Sequence, residues 1–282
     1  MKVLVTGAAG MVGHAVCNIC RATGDTVLDY DHRGLDISVT QDVLKTLIEG
    51  KPDVVINCAA WTDVDGCESD SKRAFEANAR GPENLANASH EVNSIFITIS
   101  TDYVFDGTKD GCYTEEDQPN PQSVYGLSKL EGERLAQKAN PATIIVRSGF
   151  IFGTNGSNFL STVIERASKG EKIKAISDAY GTPTYARDLA VRLRELAQLN
   201  HPGIFHVANA GDGVSYEQFA REAVLMAGYV GVVVEGIQSD SLKRPASRPH
   251  NSRLRSLKSE AAGLSPLPGW RNSLNDFVRE RA

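Results

Sequence analysis

A tyrosine and a lysine lie four residues apart in the segment Tyr125-Gly-Leu-Ser-Lys129, at the start of a predicted helix. This spacing puts the phenol and the ammonium group on one face of the helix. A free tyrosine has a pKa of about 10, so it transfers protons poorly at neutral pH. A neighbouring ammonium group favours the phenolate and brings the titration closer to the working pH. The pair therefore predicts acid–base chemistry in which Tyr125 transfers the proton.

A serine and a threonine, Ser100 and Thr101, end a predicted strand at 95–100. Ligands of open α/β sheets bind at the carboxyl edge of the strands, so Thr101 is expected to face the same ligand as Tyr125. The Tyr-x-x-x-Lys spacing alone is common on helix surfaces. Its position after a strand-end threonine and a glycine-rich turn is what favours a catalytic role for Lys129.

The glycine-rich turn lies near the beginning of the chain, where Gly7, Gly10 and Gly13 recur at every third residue. It follows the first predicted strand and opens a helix, which is the context that a dinucleotide-binding turn requires. Because glycine has no side chain, backbone N–H groups can approach a pyrophosphate at the positive end of the helix. The turn therefore predicts a bound dinucleotide.

The segment after the second strand carries both signals of cofactor choice. A carboxylate such as Asp31 bonds the ribose 2′-hydroxyl of NAD, whereas an arginine such as Arg33 meets the 2′-phosphate of NADP. Both residue types are present, so NADH and NADPH stay open as cofactors. Asp36 and Ile37 follow, and we expect them to border the adenine.

The elements that position these groups follow from the apolar pattern. Short apolar stretches predict strands at 2–6, 26–30, 53–57, 95–100, 143–148 and 204–208, and helical spacing predicts helices at 11–23, 41–49, 70–90, 124–139, 158–169, from 186, and at 215–228. Strands that are apolar throughout and alternate with helices indicate a parallel sheet covered on both faces. The predicted fold class is α/β, a Rossmann-like doubly wound parallel sheet with a smaller C-terminal substrate-binding lobe.

Two lobes are expected. Residues 1–148, with a return segment near 184–209, are predicted to form the NAD(P)-binding domain. Residues 149–183 and 210–282 are predicted to form the substrate lobe, with the site in the cleft between them. A run of six basic residues between 243 and 258 lies in this second lobe. It is either a solvated face or a lid whose arginines meet phosphate.

The composition excludes several classes of protein. Thirty basic residues against 35 acidic ones give a net charge of −5, which offers no bulk attraction to nucleic acid or anionic membrane. No apolar run approaches the ~18 residues of a membrane span, and no secretory signal is recognised. Cys17 and Cys20 have metal-ligand spacing, but they fall inside an apolar helical stretch and are expected to be small core residues. We therefore expect a cytoplasmic protein with no metal site and with neither nucleic acid nor membrane as a partner.

Taken together, the motifs resemble the extended short-chain dehydrogenase/reductase superfamily, and within it the dTDP-4-dehydrorhamnose reductase family. The most specific segment is Ser100-Thr-Asp-Tyr-Val-Phe-Asp-Gly107. The other matching segments are Gly7-Ala-Ala-Gly-Met-Val-Gly13, Asn57-Cys-Ala-Ala-Trp-Thr-Asp-Val-Asp65, Tyr125-Gly-Leu-Ser-Lys129, Gly181-Thr-Pro-Thr-Tyr-Ala-Arg-Asp-Leu189 and Arg248-Pro-His-Asn-Ser252. The resemblance covers nearly the whole chain and implies an NAD(P)H-dependent reductase that makes a deoxysugar nucleotide.

The resemblance also implies a role for each matching residue. Tyr125 would protonate the C4 oxygen of the sugar, Lys129 would tune the tyrosine and hold the nicotinamide ribose, and Thr101 would polarise the same carbonyl. The residues implied at the cofactor are Gly10, Met11 and Val12 at the pyrophosphate, and Ala59, Ala60 and Thr62 along the inner edge. The residues implied at the substrate are Val64, Tyr103 and Phe150, with Arg248 and Asn251 at the diphosphate end.

Two positions depart from the family pattern. The family has a sugar-contacting tryptophan where this chain has Phe150, which lacks the indole N–H donor. A glutamine of the family is replaced by Ala179. Both changes bear on the identity of the sugar and leave the expected chemistry unaffected.

Other activities stay open at this point. A sugar-nucleotide dehydratase would need an acid pair where this chain has Asp102-Tyr103, and a fucose-synthase-like enzyme would need a cysteine nearer to the serine than Cys112. A C4 epimerase or another sugar-nucleotide reductase would use the same Tyr125 and Lys129. The chain also resembles catalytically silent NADP-binding regulatory subunits, such as that of methionine adenosyltransferase. The assembly to test is a homodimer.

Overall fold

Strands and helices alternate through the first half of the chain, in a computed structural model that describes residues 1–281. The strands are Lys2–Thr6 (β1), Thr26–Tyr30 (β2), Val54–Asn57 (β3), Ile95–Thr101 (β4), Ile144–Ser148 (β5), Ile151–Phe152 (β6), Ile173–Ile176 (β7), Tyr180–Gly181 (β8), Thr184–Tyr185 (β9), Gly203–His206 (β10), Val214–Ser215 (β11) and Val234–Ile237 (β12). The helices are Met11–Ala22 (α1), Thr40–Gly50 (α2), Val64–Ser69 (α3), Ser71–Phe75 (α4), Gly81–Glu91 (α5), Val124–Ala139 (α6), Phe159–Ser168 (α7), Ala186–Leu199 (α8), Tyr216–Met226 (α9), Lys258–Ala261 (α10) and Trp270–Arg281 (α11).

Six strands form one parallel sheet in the order β2-β1-β3-β4-β5-β10. The chain steps to one side from β1 to β2 and then to the other side with β3, so the strand order reverses at β1. Ligands of doubly wound sheets bind at such a reversal, at the carboxyl ends of the strands. The predicted fold class is confirmed, and it places the ligand site beyond the ends of β1 and β3.

Both faces of the sheet are covered by helices. Val16, Cys17 and Cys20 of α1 pack with Leu189 and Leu193 of α8 against one face. Helices α2, α5 and α6 cover the other face. Burial on both sides explains why the strands are apolar throughout. Cys17 and Cys20 are buried free thiols, as the sequence predicted.

The prediction of one continuous helix over 70–90 is wrong. The chain forms α4, a π-helical turn at Glu76–Arg80 and then α5. Pro82 has no N–H to donate to the carbonyl of Asn78, so the regular ladder is interrupted there. The freed Asn78 carbonyl lies close to α6, where only a residue without a side chain, Gly132, allows the approach.

A second group of elements carries its own apolar core. Phe152, Phe219, Trp270 and Phe277 pack together with Tyr185, and their rings meet mostly edge to face. Helix α9 begins with a capping box formed by Ser215 and Gln218, at the start of the helix that the sequence predicted over 215–228. The division into two lobes stays a prediction. Within residues 1–281, the helices are all too short or too polar to cross a bilayer.

Candidate active site

A cavity of about 380 Å³, here called the inner cavity, lies at the carboxyl ends of β4 and β5. Most of the predicted catalytic and substrate residues line it, together with part of the predicted cofactor set: Met11, Val12, Ala59, Ala60, Thr62, Val64, Thr101, Tyr103, Tyr125, Lys129 and Phe150. The structure thus brings the tyrosine–lysine pair and the strand-end threonine to one space.

A second cavity of about 550 Å³, the outer cavity, adjoins the first and shares Cys58, Ala59 and Ala60 with it. Of the predicted cofactor residues, Gly7, Gly10, Asp31, Asp36 and Ile37 line it. His32, Trp61 and Arg73 also line this cavity and were not predicted from the sequence. The Arg73 guanidinium lies 4.4 Å from the centre of the Trp61 ring, a cation–π contact that fixes both groups.

The glycine-rich turn is built for a close approach of backbone to backbone. Gly7 has a φ of +66°, and a Cβ atom there would lie 2.6 Å from the N of Ala59. A Cβ at Gly13 would collide with the carbonyl of Gly7 and lie 2.8 Å from the Cα of Ala8. Gly13 lines neither cavity, so its role is to let α1 start close under the turn. The resulting cradle fits a dinucleotide pyrophosphate at the N-terminus of α1.

Tyr125 lies in the first turn of α6, whose N-cap is Ser123. Burial raises the pKa of its phenol above the ordinary value, while a hydrogen bond with Thr101 acts in the opposite direction. The expectation that Lys129 brings this titration towards neutral pH is therefore wrong for the structure described here, because burial dominates. A phenol that keeps its proton at neutral pH is the form that a proton donor needs.

Lys129 is buried on the next turn of α6, and its Nζ donates a hydrogen bond of 2.7 Å to the carbonyl of Ile99. Burial lowers the pKa of the ammonium group to about 8, and the carboxylate of Glu133 opposes this shift. The lysine therefore stays mostly protonated at neutral pH and can deliver a positive charge beside the cavity.

Asp102 lines the inner cavity and was not assigned a role from the sequence. It is 3% exposed, and burial raises the pKa of its carboxyl to about 6 in spite of hydrogen bonds from Ser252 and Thr101. The Thr101 hydroxyl donates to it over 3.1 Å. A residue other than glycine at Gly149 would collide with this carboxyl group, so the sequence makes room for it.

We expect Asp102→Asn to stabilise the protein at high pH. The folded-state pKa is raised above 3.8, so the wild type loses stability as pH rises through 4–6 and carries the full penalty above about pH 6. Two pKa units correspond to at most about 3 kcal/mol, which asparagine removes at pH 8 but not at pH 4. Urea unfolding at both pH values measures this, with the exposed Asp110→Asn as the control. An equal effect at both pH values would contradict it.

Aromatic side chains form the wall of the inner cavity opposite the sheet. Phe150 adopts a φ of +49°, which is uncommon for a residue with a large side chain, and its ring lies 4.1 Å from that of Tyr216. A Cβ at Gly181 would overlap the Phe150 ring. Tyr216 and Phe159 also line the cavity, and neither was found from the sequence because both come from the second group of elements.

The diphosphate residues suggested by the resemblance lie elsewhere. Arg248 lines an open groove of about 890 Å³ formed largely by the basic run, and it makes a two-pronged ion pair with Asp65 at 2.8 and 2.9 Å. The side chain of Asn251 donates to the carbonyls of Lys109 and Gly111 and lines none of these spaces. Its assignment to the substrate stays a prediction that no contact in the structure supports.

The fold and the site define the class of protein. A glycine-rich turn on a doubly wound sheet, opening onto a Thr–Tyr–Lys cavity, is the arrangement of a short-chain dehydrogenase/reductase of the extended type. Residues 1–282 match the family model described as RmlD substrate binding domain. The chain is 39% identical over 280 residues to a dTDP-4-dehydrorhamnose reductase of Mycolicibacterium smegmatis, covering 98% of this chain and 85% of that one.

Solved structures of dTDP-4-dehydrorhamnose reductases are also similar to this chain. A dTDP-4-dehydrorhamnose reductase of Clostridium acetobutylicum has a TM-score of 0.95 and 37% identity, covering 100% of this chain and 99% of the other. The reductase of Bacillus anthracis in complex with NADP has a TM-score of 0.95 and 32% identity, covering 99% of both chains. The chain belongs to the dTDP-4-dehydrorhamnose reductase family and is an NAD(P)H-dependent oxidoreductase.

Proposed function

We propose that this chain reduces the C4 keto group of dTDP-4-dehydrorhamnose to give dTDP-L-rhamnose. The observation that carries the proposal is the meeting of Thr101, Tyr125 and Lys129 in a cavity that is joined to the glycine-turn cavity through Cys58, Ala59 and Ala60. A dinucleotide placed along both cavities would have its pyrophosphate at the N-terminus of α1 and its nicotinamide beside Tyr125.

The roles of the three residues follow from their surroundings. A nicotinamide held beside Tyr125 and Lys129 would supply a hydride. Tyr125 donates its proton to the C4 oxygen, and Lys129 stabilises the phenolate that remains. The Thr101 hydroxyl, which donates to Asp102 in this structure, would turn to donate a hydrogen bond to the same C4 oxygen. Since burial keeps the phenol protonated, the donor is ready before the substrate arrives.

The sugar and its diphosphate have separate surroundings in the proposal. Phe150, Tyr103 and Tyr216 form the wall on which the sugar rests, and Val64 borders it. Arg244 and Arg248 line the basic groove, which is suited to the diphosphate because arginine forms paired hydrogen bonds with phosphate oxygens. Arg248 would exchange its ion pair with Asp65 for the diphosphate. In this proposal the basic run between 243 and 258 is a solvated face, and two of its arginines also line the groove that binds phosphate.

Phe150 also favours a second candidate, the same reduction on a different keto-sugar nucleotide. Phenylalanine cannot donate a hydrogen bond to a sugar hydroxyl, so a substrate with fewer hydroxyl groups would lose less here. The test is to supply dTDP-4-dehydrorhamnose and deoxygenated keto-sugar nucleotides separately and to identify each product by NMR. Conversion of dTDP-4-dehydrorhamnose to dTDP-L-rhamnose with the highest kcat/KM supports the main proposal. A higher kcat/KM for a deoxygenated sugar favours the second, and turnover of none points to a regulatory subunit.

We expect Asp31→Asn to shift the cofactor preference towards NADPH. The Asp31 Oδ1 atom caps its own turn by accepting from the N–H groups of Arg33 and Gly34, and asparagine retains that acceptor. Loss of the charge removes a strong acceptor for the ribose hydroxyl, so kcat/KM with NADH should fall about tenfold. With NADPH it should stay equal or rise, since a repelling carboxylate is gone. Asp29→Asn is the control, because Asp29 lines neither cavity and pairs with Arg21; a larger effect of that variant would contradict the assignment.

We also propose that the protein works in a reducing compartment such as the cytoplasm. The five cysteines are all free thiols, and three of them are buried. A homodimer is the assembly to test by analytical ultracentrifugation. We propose the sugar nucleotide as the small-molecule partner.

A further inference from the structure

Three charged side chains are buried together beneath the inner cavity. Lys129 is 5% exposed, Glu133 is 3% exposed and Arg147 is 2% exposed. Two of them carry positive charge and one carries negative charge, so the group has a net charge of +1 when all are ionised. We call them the buried triad.

The triad is fixed by two neighbouring strands and one helix. Arg147 of β5 donates from Nε and Nη2 to the two carboxylate oxygens of Glu133, at 2.9 and 2.6 Å. The hydroxyl of Ser100, which pairs with Arg147 in the sheet register, also donates to Glu133. Lys129 donates to the carbonyl of Ile99, the residue before Ser100. Lys129 and Glu133 are four residues apart on α6, so the ammonium and the carboxylate lie on one face of the helix.

A buried ion pair needs a reason other than stability. Desolvation of two charges often costs as much free energy as their attraction returns, and apolar residues of similar size frequently replace such pairs without loss. Arginine does not release its proton in proteins. Of the two cations, Lys129 is therefore the one that can become neutral, and it is also the one that lines the inner cavity.

We propose that Glu133 is a positioning residue that keeps Lys129 charged, and that Arg147 holds the Glu133 carboxylate in place. The mechanism is electrostatic. A carboxylate one helical turn below the ammonium group offsets part of the desolvation that burial imposes. The guanidinium group fixes the position of that carboxylate through two hydrogen bonds. The inference rests on the proposed function, in which a charged Lys129 stabilises the Tyr125 phenolate.

Three other titratable groups around Lys129 stay neutral over the working range, and Asp102 is the exception. Tyr125, on the same helix, and Cys58, at the end of β3, both have pKa values raised by burial. Beyond Arg147, burial lowers the pKa of the His206 imidazole on β10 to about 4, so that this ring is uncharged. Asp102, across the cavity, is the remaining acid, with a pKa of about 6. Glu133 is thus the carboxylate that lies one helical turn from the lysine on its own helix.

The test is the titration of Lys129 in the whole protein, followed by NMR of isotopically labelled lysine side chains. The Lys129 signal is assigned as the one that is lost in Lys129→Met. Glu133→Gln should lower the pKa of Lys129 by about one unit or more, because it removes the opposing charge and leaves the Arg147 charge unbalanced. The matched control is Glu131→Gln on the same helix, where an exposed carboxylate pairs with Arg134 and no shift is expected.

Two further variants keep the test decisive. If Glu133→Gln does not fold, Glu133→Gln/Arg147→Met removes both charges together and should lower the same pKa by a smaller amount. Glu133→Asp should restore most of the shift. A Lys129 pKa that stays within about 0.3 units of the wild type in the folded variants would overturn the inference.

Kinetics separate this inference from the proposed function. With dTDP-4-dehydrorhamnose, the alkaline limb of the kcat–pH profile should move to lower pH in Glu133→Gln, in step with the NMR titration. An active wild type whose alkaline limb stays in place in this variant would overturn the inference alone. A wild type without turnover would contradict the proposed function, whereas the NMR titration would still decide whether Glu133 holds the charge of Lys129.

Discussion

Tyr125→Phe is expected to reduce kcat about 10²- to 10⁴-fold while leaving NADPH binding within about threefold of the wild type. The phenol hydroxyl is the proton donor in the proposed mechanism, and the ring itself packs edge to face against Tyr103 at 5.9 Å. Phenylalanine keeps the ring contact and removes only the hydroxyl. The loss should therefore appear in kcat, with the free energy of unfolding nearly unchanged.

The matched control for this variant is Tyr180→Phe, which removes a hydroxyl from a half-exposed tyrosine outside both cavities. Its kcat should equal that of the wild type. Rates are measured by the absorbance of NAD(P)H, and binding by the fluorescence of NADPH. Tyr125→Phe with kcat within about threefold of the wild type would mean that another group, with Asp102 as the nearest acid in the cavity, donates the proton.

Gly13→Ala is expected to weaken NADPH binding at least about 100-fold, or about 2.7 kcal/mol. The new methyl group would meet the carbonyl of Gly7 and the Cα of Ala8, both of which belong to the backbone and cannot rotate away. The turn must then open, which moves the N–H groups at the N-terminus of α1 away from the pyrophosphate. A fall in the free energy of unfolding of about 1–3 kcal/mol should accompany it, as for an overpacked core.

Gly269→Ala provides the comparison, because a Cβ at Gly269 has its nearest neighbour at 3.9 Å, an ordinary contact. Its NADPH affinity should match the wild type. Circular dichroism after each substitution separates weakened binding from loss of fold. Unchanged NADPH affinity in a folded Gly13→Ala protein would show that the cofactor does not depend on the geometry of this turn.

The catalytic part of the site was predictable from the sequence because its signals are local. Tyr125 and Lys129 are related by one turn of a helix, and the glycines follow one strand directly. Thr101 could be placed because parallel strands end at one edge of their sheet. Each of these inferences needs only the geometry of a single element.

The remaining part depends on how distant elements pack. Tyr216 follows a recognisable N-cap, but nothing in its segment shows that α9 folds back to meet Phe150. Asn251 matches the family motif, yet its side-chain amide donates both of its hydrogen bonds to two loop carbonyls. The local sequence does not reveal these contacts. The effect of burial on Tyr125 outweighs that of the nearby lysine, and burial is a property of the whole fold.

The π-helical turn at Glu76–Arg80 was only partly predictable from the local sequence. Pro82 is visible in the sequence and removes the hydrogen bond that a continuous helix would need. Helical periodicity alone hides this interruption, because the apolar positions continue through it. Asn78 uses the irregular turn to bond both the backbone of Trp61 and the hydroxyl of Ser128, which ties the outer cavity to α6.

The most direct test is the oxidation of NADPH, and separately of NADH, by the wild-type protein with purified dTDP-4-dehydrorhamnose, beside a reaction without the sugar nucleotide. The proposed function predicts that oxidation of the cofactor depends on the sugar nucleotide. It also predicts that the amount of dTDP-L-rhamnose formed equals the amount of cofactor oxidised. A folded protein that binds NADPH and yields no dTDP-L-rhamnose would contradict the proposed function.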